Sequence, residues 1–382
     1  MKNLLVFGGV EPLGRAIALH ALQVGEYGRI RVVDRQVPEV AFFQYWERAQ
    51  FNKVEFYHMN IGSPNSDMTK IDRAFSLPEG EHWDLVIHAY YDCIYEESMK
   101  THVQFVTERA RLVGEGAKRY HARLLLYITR IAYAKWTPKM GVVKEDHVLT
   151  PWKNNIRSTG EVRSEETIRS IQDLPLLILR VADVYGYGLV SSVDSNCVSI
   201  RLQKDAEHPT FGCIYSDEDR IDTLHAEDAA RAVFHTAHWY IDTQKKGTQI
   251  FNVKDDSDLS FLAQTKMLCD IFDIPCRFYS APLRMLSKAA LRIGWIADLV
   301  IKRCQDAWIE ALNRDGISYT PIQYVLDREM LATTWGASLD KSLLERETGF
   351  RCLYPQLTPE IIREVLEYWI KLKAWPRNTL GN

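Results

Sequence analysis

The sequence predicts an α/β fold, a doubly wound parallel sheet with a smaller, mainly helical C-terminal lobe. Three observations carry that prediction. Leu4-Leu5-Val6-Phe7 is an apolar run too short for a helix and closed by Gly8-Gly9, so it reads as a buried parallel strand. Gly14 then opens an amphipathic helical stretch to Leu22, and a second strand over 29–34 ends in Asp34, 20 residues past Gly14. From there to about residue 181, strand and helix patterns alternate, the signature of right-handed βαβ crossovers.

The elements follow in order. Residues 54–61 read as a third strand, 83–91 as a fourth, 99–116 as a helix and 123–129 as a fifth strand. A helix over 157–171 precedes a sixth strand over 175–181. Further on, residues 221–231 read as the start of a helix with Asp228 as its cap, and 249–253 as a short strand. Residues 258–274, 284–312 and 358–373 read as helices. The expected division places a dinucleotide-binding domain at 1–181, with 221–255 returning to it. Residues 182–220 and 256–382 then form the substrate lobe.

Bulk properties narrow the function. At 382 residues, 46% hydrophobic and 25% charged, the chain is an ordinary globular one with room for a large core. A net charge of −3 gives no electrostatic reason to expect nucleic acid or an anionic membrane as a partner. The seven cysteines form no Cys-x-x-Cys pair and no zinc-type spacing with histidine, which suits reduced, buried thiols in a cytoplasmic protein. Met1-Lys2-Asn3 leads straight into the first strand, so no signal peptide is expected, and no apolar run reaches transmembrane length.

The first 34 residues carry the chemistry. Strand, glycine turn, helix, strand and terminal acid make a Rossmann-type dinucleotide-binding unit, in which backbone N–H groups at a helix start must approach a pyrophosphate closely. Gly8, Gly9, Glu11, Pro12, Leu13 and Gly14 are the candidate cradle. Read as Gly-x-x-Gly-x-x-Gly, its middle position is Glu11, whose carboxylate either repels the pyrophosphate or turns away. Asp34 is suited to the adenine-ribose hydroxyls and repels a 2′-phosphate, favouring NAD over NADP, while Arg35 beside it pulls the other way. Strand ends add Asn60 and Ile61 on the adenine side, and His88 and Ala89 further along the same cleft.

Five segments resemble the extended short-chain dehydrogenases/reductases, the group containing sugar-nucleotide epimerases and dehydratases and 3β-hydroxysteroid dehydrogenase-like enzymes. Val6-Phe7-Gly8-Gly9-Val10-Glu11-Pro12-Leu13-Gly14 resembles the family's Thr-Gly-Gly-x-Gly-x-x-Gly, and Asp84-Leu85-Val86-Ile87-His88-Ala89 its Asp-x-Val-x-His-x-Ala strand. Leu179-Arg180 with Val184-Tyr185-Gly186-Tyr187-Gly188 is similar to Leu-Arg…Val-Tyr-Gly-x-Gly. Leu224-His225-Ala226-Glu227-Asp228-Ala229-Ala230 resembles Val-His-Val-x-Asp-Val-Ala, and Asp340-Lys341-Ser342 with Thr348-Gly349-Phe350 resembles the stretch before the last helices. The resemblance implies an NAD-binding oxidoreductase or epimerase/dehydratase acting on a small hydroxyl- or carbonyl-bearing molecule. It also implies pairing of two copies through two long helices.

The family's catalytic pair is missing. Thr129, four residues before Tyr133, falls at its Ser/Thr position, but no tyrosine occurs between Tyr133 and Tyr185, where Tyr-x-x-x-Lys belongs. Arg157 and Glu161 occupy those two places, or simply pair across one turn of a solvated helix face. Removing hydride from an alcohol carbon requires a base for the hydroxyl proton, and arginine cannot serve near neutral pH. The candidate acid/base groups are therefore Thr129, Tyr90, Tyr91 and Tyr133, each with a packing role as the plainer alternative. Two other readings stay open, an enzyme without net redox chemistry on this scaffold and a catalytically silent nucleotide-binding subunit.

Overall fold

The computed structural model describes residues 2–63, 67–90, 98–205, 210–322 and 336–377. The chain opens with β1 (Lys2–Phe7), α1 (Pro12–Val24), β2 (Tyr27–Asp34), α2 (Tyr45–Phe51), β3 (Glu55–His58), α3 (Met68–Phe75), β4 (Leu85–His88), α4 (Met99–Arg119), β5 (Leu125–Arg130), α5 (Ile156–Arg169) and β6 (Leu176–Val181). Strand and helix alternate throughout, as the pattern predicts. The later part adds β7 (Asp183–Tyr185), α6 (Ser192–Lys204), β8 (Phe211–Cys213), β9 (Arg220–Ile221), β10 (Thr223–His225), α7 (Ala226–Asp242) and β11 (Thr248–Val253). It continues through β12 (Leu259–Ser260), α8 (Phe261–Phe272), β13 (Cys276–Phe278), α9 (Ala281–Leu291) and α10 (Gly294–Arg314), then the helices Ser342–Thr348 and Pro359–Lys371.

Seven strands form one parallel sheet in the order β11-β6-β5-β4-β1-β2-β3. The order reverses between β1 and β4, and at such a switch point the two crossovers diverge and leave a crevice at the strands' carboxyl ends. Side-chain alternation assigns the layers. Leu4 and Val6 pack with Ile17 of α1 and Val233 of α7 on one face. Leu5 and Phe7 pack with Phe75 of α3, Val113 of α4 and Ile168 of α5 on the other. A third core joins Cys197 of α6, Leu268 of α8, Trp308 of α10 and Trp369 near the C-terminus, giving the helical lobe its own interior.

Two expected helices differ. Residues 220–221 and 223–225 are two short strands, and the helix begins only at Ala226, with His225 Nδ1 accepting from Glu227 N at 3.3 Å. Burial holds His225 down at about 4, so it is neutral and free to accept. Asp228 does not cap; fully buried, it accepts from the backbone N–H groups of Leu353 and Tyr354, both at 2.7 Å, and ties the C-terminal loop to α7. The single helix expected over 284–312 is two, because Ile293 is extended (φ −82°, ψ 114°) and separates α9 from α10.

Beneath the sheet, Arg180 of β6 is fully buried and pairs with Glu165 of α5, Nη2 to Oε1 at 2.6 Å. Its Nη1 donates to the carbonyls of Glu145 and His147, each at 3.1 Å. Removing one partner leaves a buried charge uncompensated. Glu165→Ala is expected to cost about 3–5 kcal/mol of stability in urea unfolding; a loss below about 1 kcal/mol would show that the pair does not hold α5 to the sheet.

Candidate active site

The glycine turn is built as the motif requires. Gly8 sits at φ +80°, where a Cβ would meet Tyr90 N at 2.7 Å, and a Cβ on Gly14 would lie 2.1 Å from the Gly8 carbonyl oxygen. Only glycine fits either place. The turn is clamped from β2: the Asp34 carboxylate is fully buried and its Oδ2 accepts from Val10 N at 2.8 Å and Glu11 N at 3.2 Å. Its Oδ1 accepts from Gln36 N at 2.9 Å. Asp34 thus fastens the glycine turn to the end of β2.

The N-terminus of α1 has fewer donors than the family pattern provides. Pro12 carries no N–H, and Arg15 N already donates to Glu11 O at 2.8 Å. With the Val10 and Glu11 amides committed to Asp34, Leu13 and Gly14 are left as the first-turn residues whose N–H groups no carbonyl of α1 accepts. Glu11, at the N-cap, is buried to 3% exposure and makes no capping bond to its own helix. Its Oε1 lies 3.9 Å from Arg35 Nε. The site therefore carries its own carboxylate at a helix start that favours anions, and the arginine suited to a 2′-phosphate faces that carboxylate.

Around the rest of the crevice, Asn60 is exposed while Ile61 is part of the core. His88 ends β4 with its ring stacked on Tyr127 at 4.6 Å and edge-on to Tyr90 at 5.3 Å, and Ala89 is buried behind it. Burial pushes the Tyr127 phenol well above its ordinary range, so it stays protonated. Tyr90 lies under the Arg109 guanidinium, 4.1 Å from ring centroid to Cζ. Tyr133 stands apart from that cluster, with Arg130 over its ring at 4.8 Å. Tyr91 lies outside the described residues.

Arg157 and Glu161 are not a solvated pair. Both point inward, and Glu161 accepts from Arg130, from the backbone N at 2.6 Å and from Nη2 at 2.8 Å. Arg157 instead lines a narrow cavity between α4 and α5 with His88, Tyr90, His102, Arg109 and Glu161. His102 and Arg109 escaped the sequence reading. Their spacing of seven residues puts them on one face of α4, and two charged-type residues on the buried face of a helix were the available signal.

Thr129, next to last in β5, is fully buried, and its Oγ1 has no hydrogen-bond partner among the described residues. An unpaired buried hydroxyl costs about 1–3 kcal/mol and is a reason to look for a ligand that completes it.

The crevice, the clamped glycine turn and the acid ending β2 meet at the switch point of a Rossmann-type sheet. Solved structures share this fold over nearly the whole chain. The Bordetella bronchiseptica enzyme WbmG in complex with NAD and UDP matches with a TM-score of 0.64 at 15% identity, covering 97% of this chain and 95% of its own. MoeE5 in complex with UDP-glucose and NAD gives 0.61 at 13%, covering 97% and 99%. A UDP-galactose 4-epimerase gives 0.61 at 14%, covering 98% and 100%. No protein-family model and no curated protein matches the sequence. At these identities the likeness is one of fold.

The hydroxyl of Thr129 gives a direct check. Thr129→Val is expected to leave stability unchanged or to raise it by up to about 1 kcal/mol, since it removes an unpaired buried polar group. A loss above about 1 kcal/mol in chemical denaturation would show that Oγ1 is paired within the fold.

Proposed function

We propose that the chain is an NAD-binding enzyme of the extended short-chain dehydrogenase/reductase type, an oxidoreductase or epimerase/dehydratase with a non-standard acid/base. The observation that carries this reading is the turn of Gly8 and Gly14 held by Asp34 at the β1/β4 switch point. Those residues fit a dinucleotide. Leu13 and Gly14 would hold the pyrophosphate, Asp34 the adenine ribose, Asn60 and Ile61 the adenine side, and His88 and Ala89 the nicotinamide side. NAD, when bound, supplies reversible acceptance of a hydride. Glu11 must turn away from α1 for that to happen, and its pairing with Arg35 further disfavours NADP.

The chain's own part is to handle the proton. With arginine and a committed glutamate in the Tyr and Lys places, Thr129, Tyr90, Tyr91 and Tyr133 are the groups proposed for it. Of these, Tyr90 and Tyr133 each have a guanidinium over the ring, from Arg109 and Arg130 respectively. The substrate is a small hydroxyl- or carbonyl-bearing molecule held by the lobe of 182–220 and 256–382; UDP-sugars are the first to try, given MoeE5. The same reading includes a cytoplasmic homodimer.

Titration of NADH by fluorescence tests this. Saturable binding is expected, and Glu11→Gly should tighten it roughly tenfold, the effect of removing one unfavourable charge contact of about 1.4 kcal/mol. No saturable binding by either form would overturn the proposal.

A further inference from the structure

The pair α9–α10 is built inside out. Helix α9 has no buried residue at all, and its most exposed side chains are apolar: Met285 is 74% exposed and Leu286 66%. Leu283 and Ile293 are exposed beside them. Positions 282, 285, 286 and 289 follow helical spacing, so Pro282, Met285, Leu286 and Ala289 form one stripe of α9, with Ile293 exposed in the break that follows. The charged residues of α9 turn the opposite way. Lys288 Nζ pairs with Asp219 Oδ2 at 3.3 Å, and Arg284 Nη1 donates to Tyr279 O at 2.8 Å. The polar face thus anchors the helix to the protein and the apolar face looks outward. Helix α10 continues the outward surface with Trp295, 70% exposed, and Leu299 one turn on.

Charge selects the occupant. Residues 281–303 hold five basic side chains and one acid, in a chain whose net charge is −3. Of these, Arg292, Lys302 and Arg303 are exposed around the apolar stripe. A second copy docking by two-fold symmetry would set the same cation-rich patch against itself, which opposes self-association. An exposed apolar helix stripe with tryptophan at its edge and cations at its rim is the arrangement that lies in the interface of an anionic bilayer. No helix among the described residues is long and apolar enough to cross a membrane.

We propose that α9–α10 seats the protein on an anionic lipid surface, with Met285, Leu286, Ile293, Trp295 and Leu299 entering the headgroup boundary and Arg292, Lys302 and Arg303 against lipid phosphates. This is independent of the nucleotide site. The test is co-flotation of the full chain with vesicles of phosphatidylcholine mixed with phosphatidylglycerol, against phosphatidylcholine alone. Flotation is expected with the anionic vesicles and is weakened by salt. Lys302→Gln and Arg303→Gln should each lower partitioning about fivefold. Met285→Ser combined with Trp295→Ser should abolish it while far-UV circular dichroism stays that of the parent, since both side chains are exposed. Absence of flotation with anionic vesicles, or flotation indifferent to Met285→Ser/Trp295→Ser, overturns the proposal. So does a concentration-dependent dimer that the same double substitution dissociates without any vesicle binding.

Discussion

One buried carboxylate holds the first fifty residues in their working arrangement. Asp34 takes backbone N–H groups from Val10, Glu11 and Gln36, so the turn after β1 and the turn after β2 are fastened to the same side chain. That fixes where α1 begins, keeps Gly8 against the exit of β4, and orients Glu11 into the fold. A fully buried carboxylate is costly unless its charge is met by donors, and here three amides meet it.

The same fastening shapes the chemistry. Two amides at the head of α1 are spent on Asp34, Pro12 offers none, and Glu11 lies buried at the N-cap without capping the helix. In the proposed reading the turn keeps the backbone form of a dinucleotide cradle while two of its amides are already met from within. Opposite it, α5 presents arginine and glutamate in place of a proton-handling pair. That glutamate is committed to Arg130. Any proton transfer has to come from elsewhere, and Thr129, Tyr90, Tyr91 and Tyr133 are the groups proposed to supply it.

Much of this was written locally in the sequence. The β1–α1–β2 unit follows from four apolar residues, two glycines and an acid at fixed spacing, because each acts on its immediate neighbours. Periodicity also gave β5, α5 and β6 nearly residue for residue. What could not be read is where a charge goes once the chain has folded. Arg157 and Glu161 look like a surface pair across one helical turn, yet a partner 31 residues away in sequence, Arg130, decides the fate of Glu161. Asp228 looks like a helix cap, yet its amide donors come from residues 353 and 354. The break at Ile293 has no proline to announce it. The outward apolar stripe of α9 carries the same periodicity as a core-facing one, and only the fold reveals which way it points.

The account stands on the claim that the turn of Gly8 and Gly14 is a dinucleotide cradle fronted by a displaceable carboxylate. A crystal structure grown at saturating NAD examines it most directly. The account predicts pyrophosphate against the amides of Leu13 and Gly14, ribose beside Asp34, and Glu11 rotated away from α1. Glu11 still buried toward Arg35, with the crevice empty or the coenzyme bound elsewhere, would contradict it.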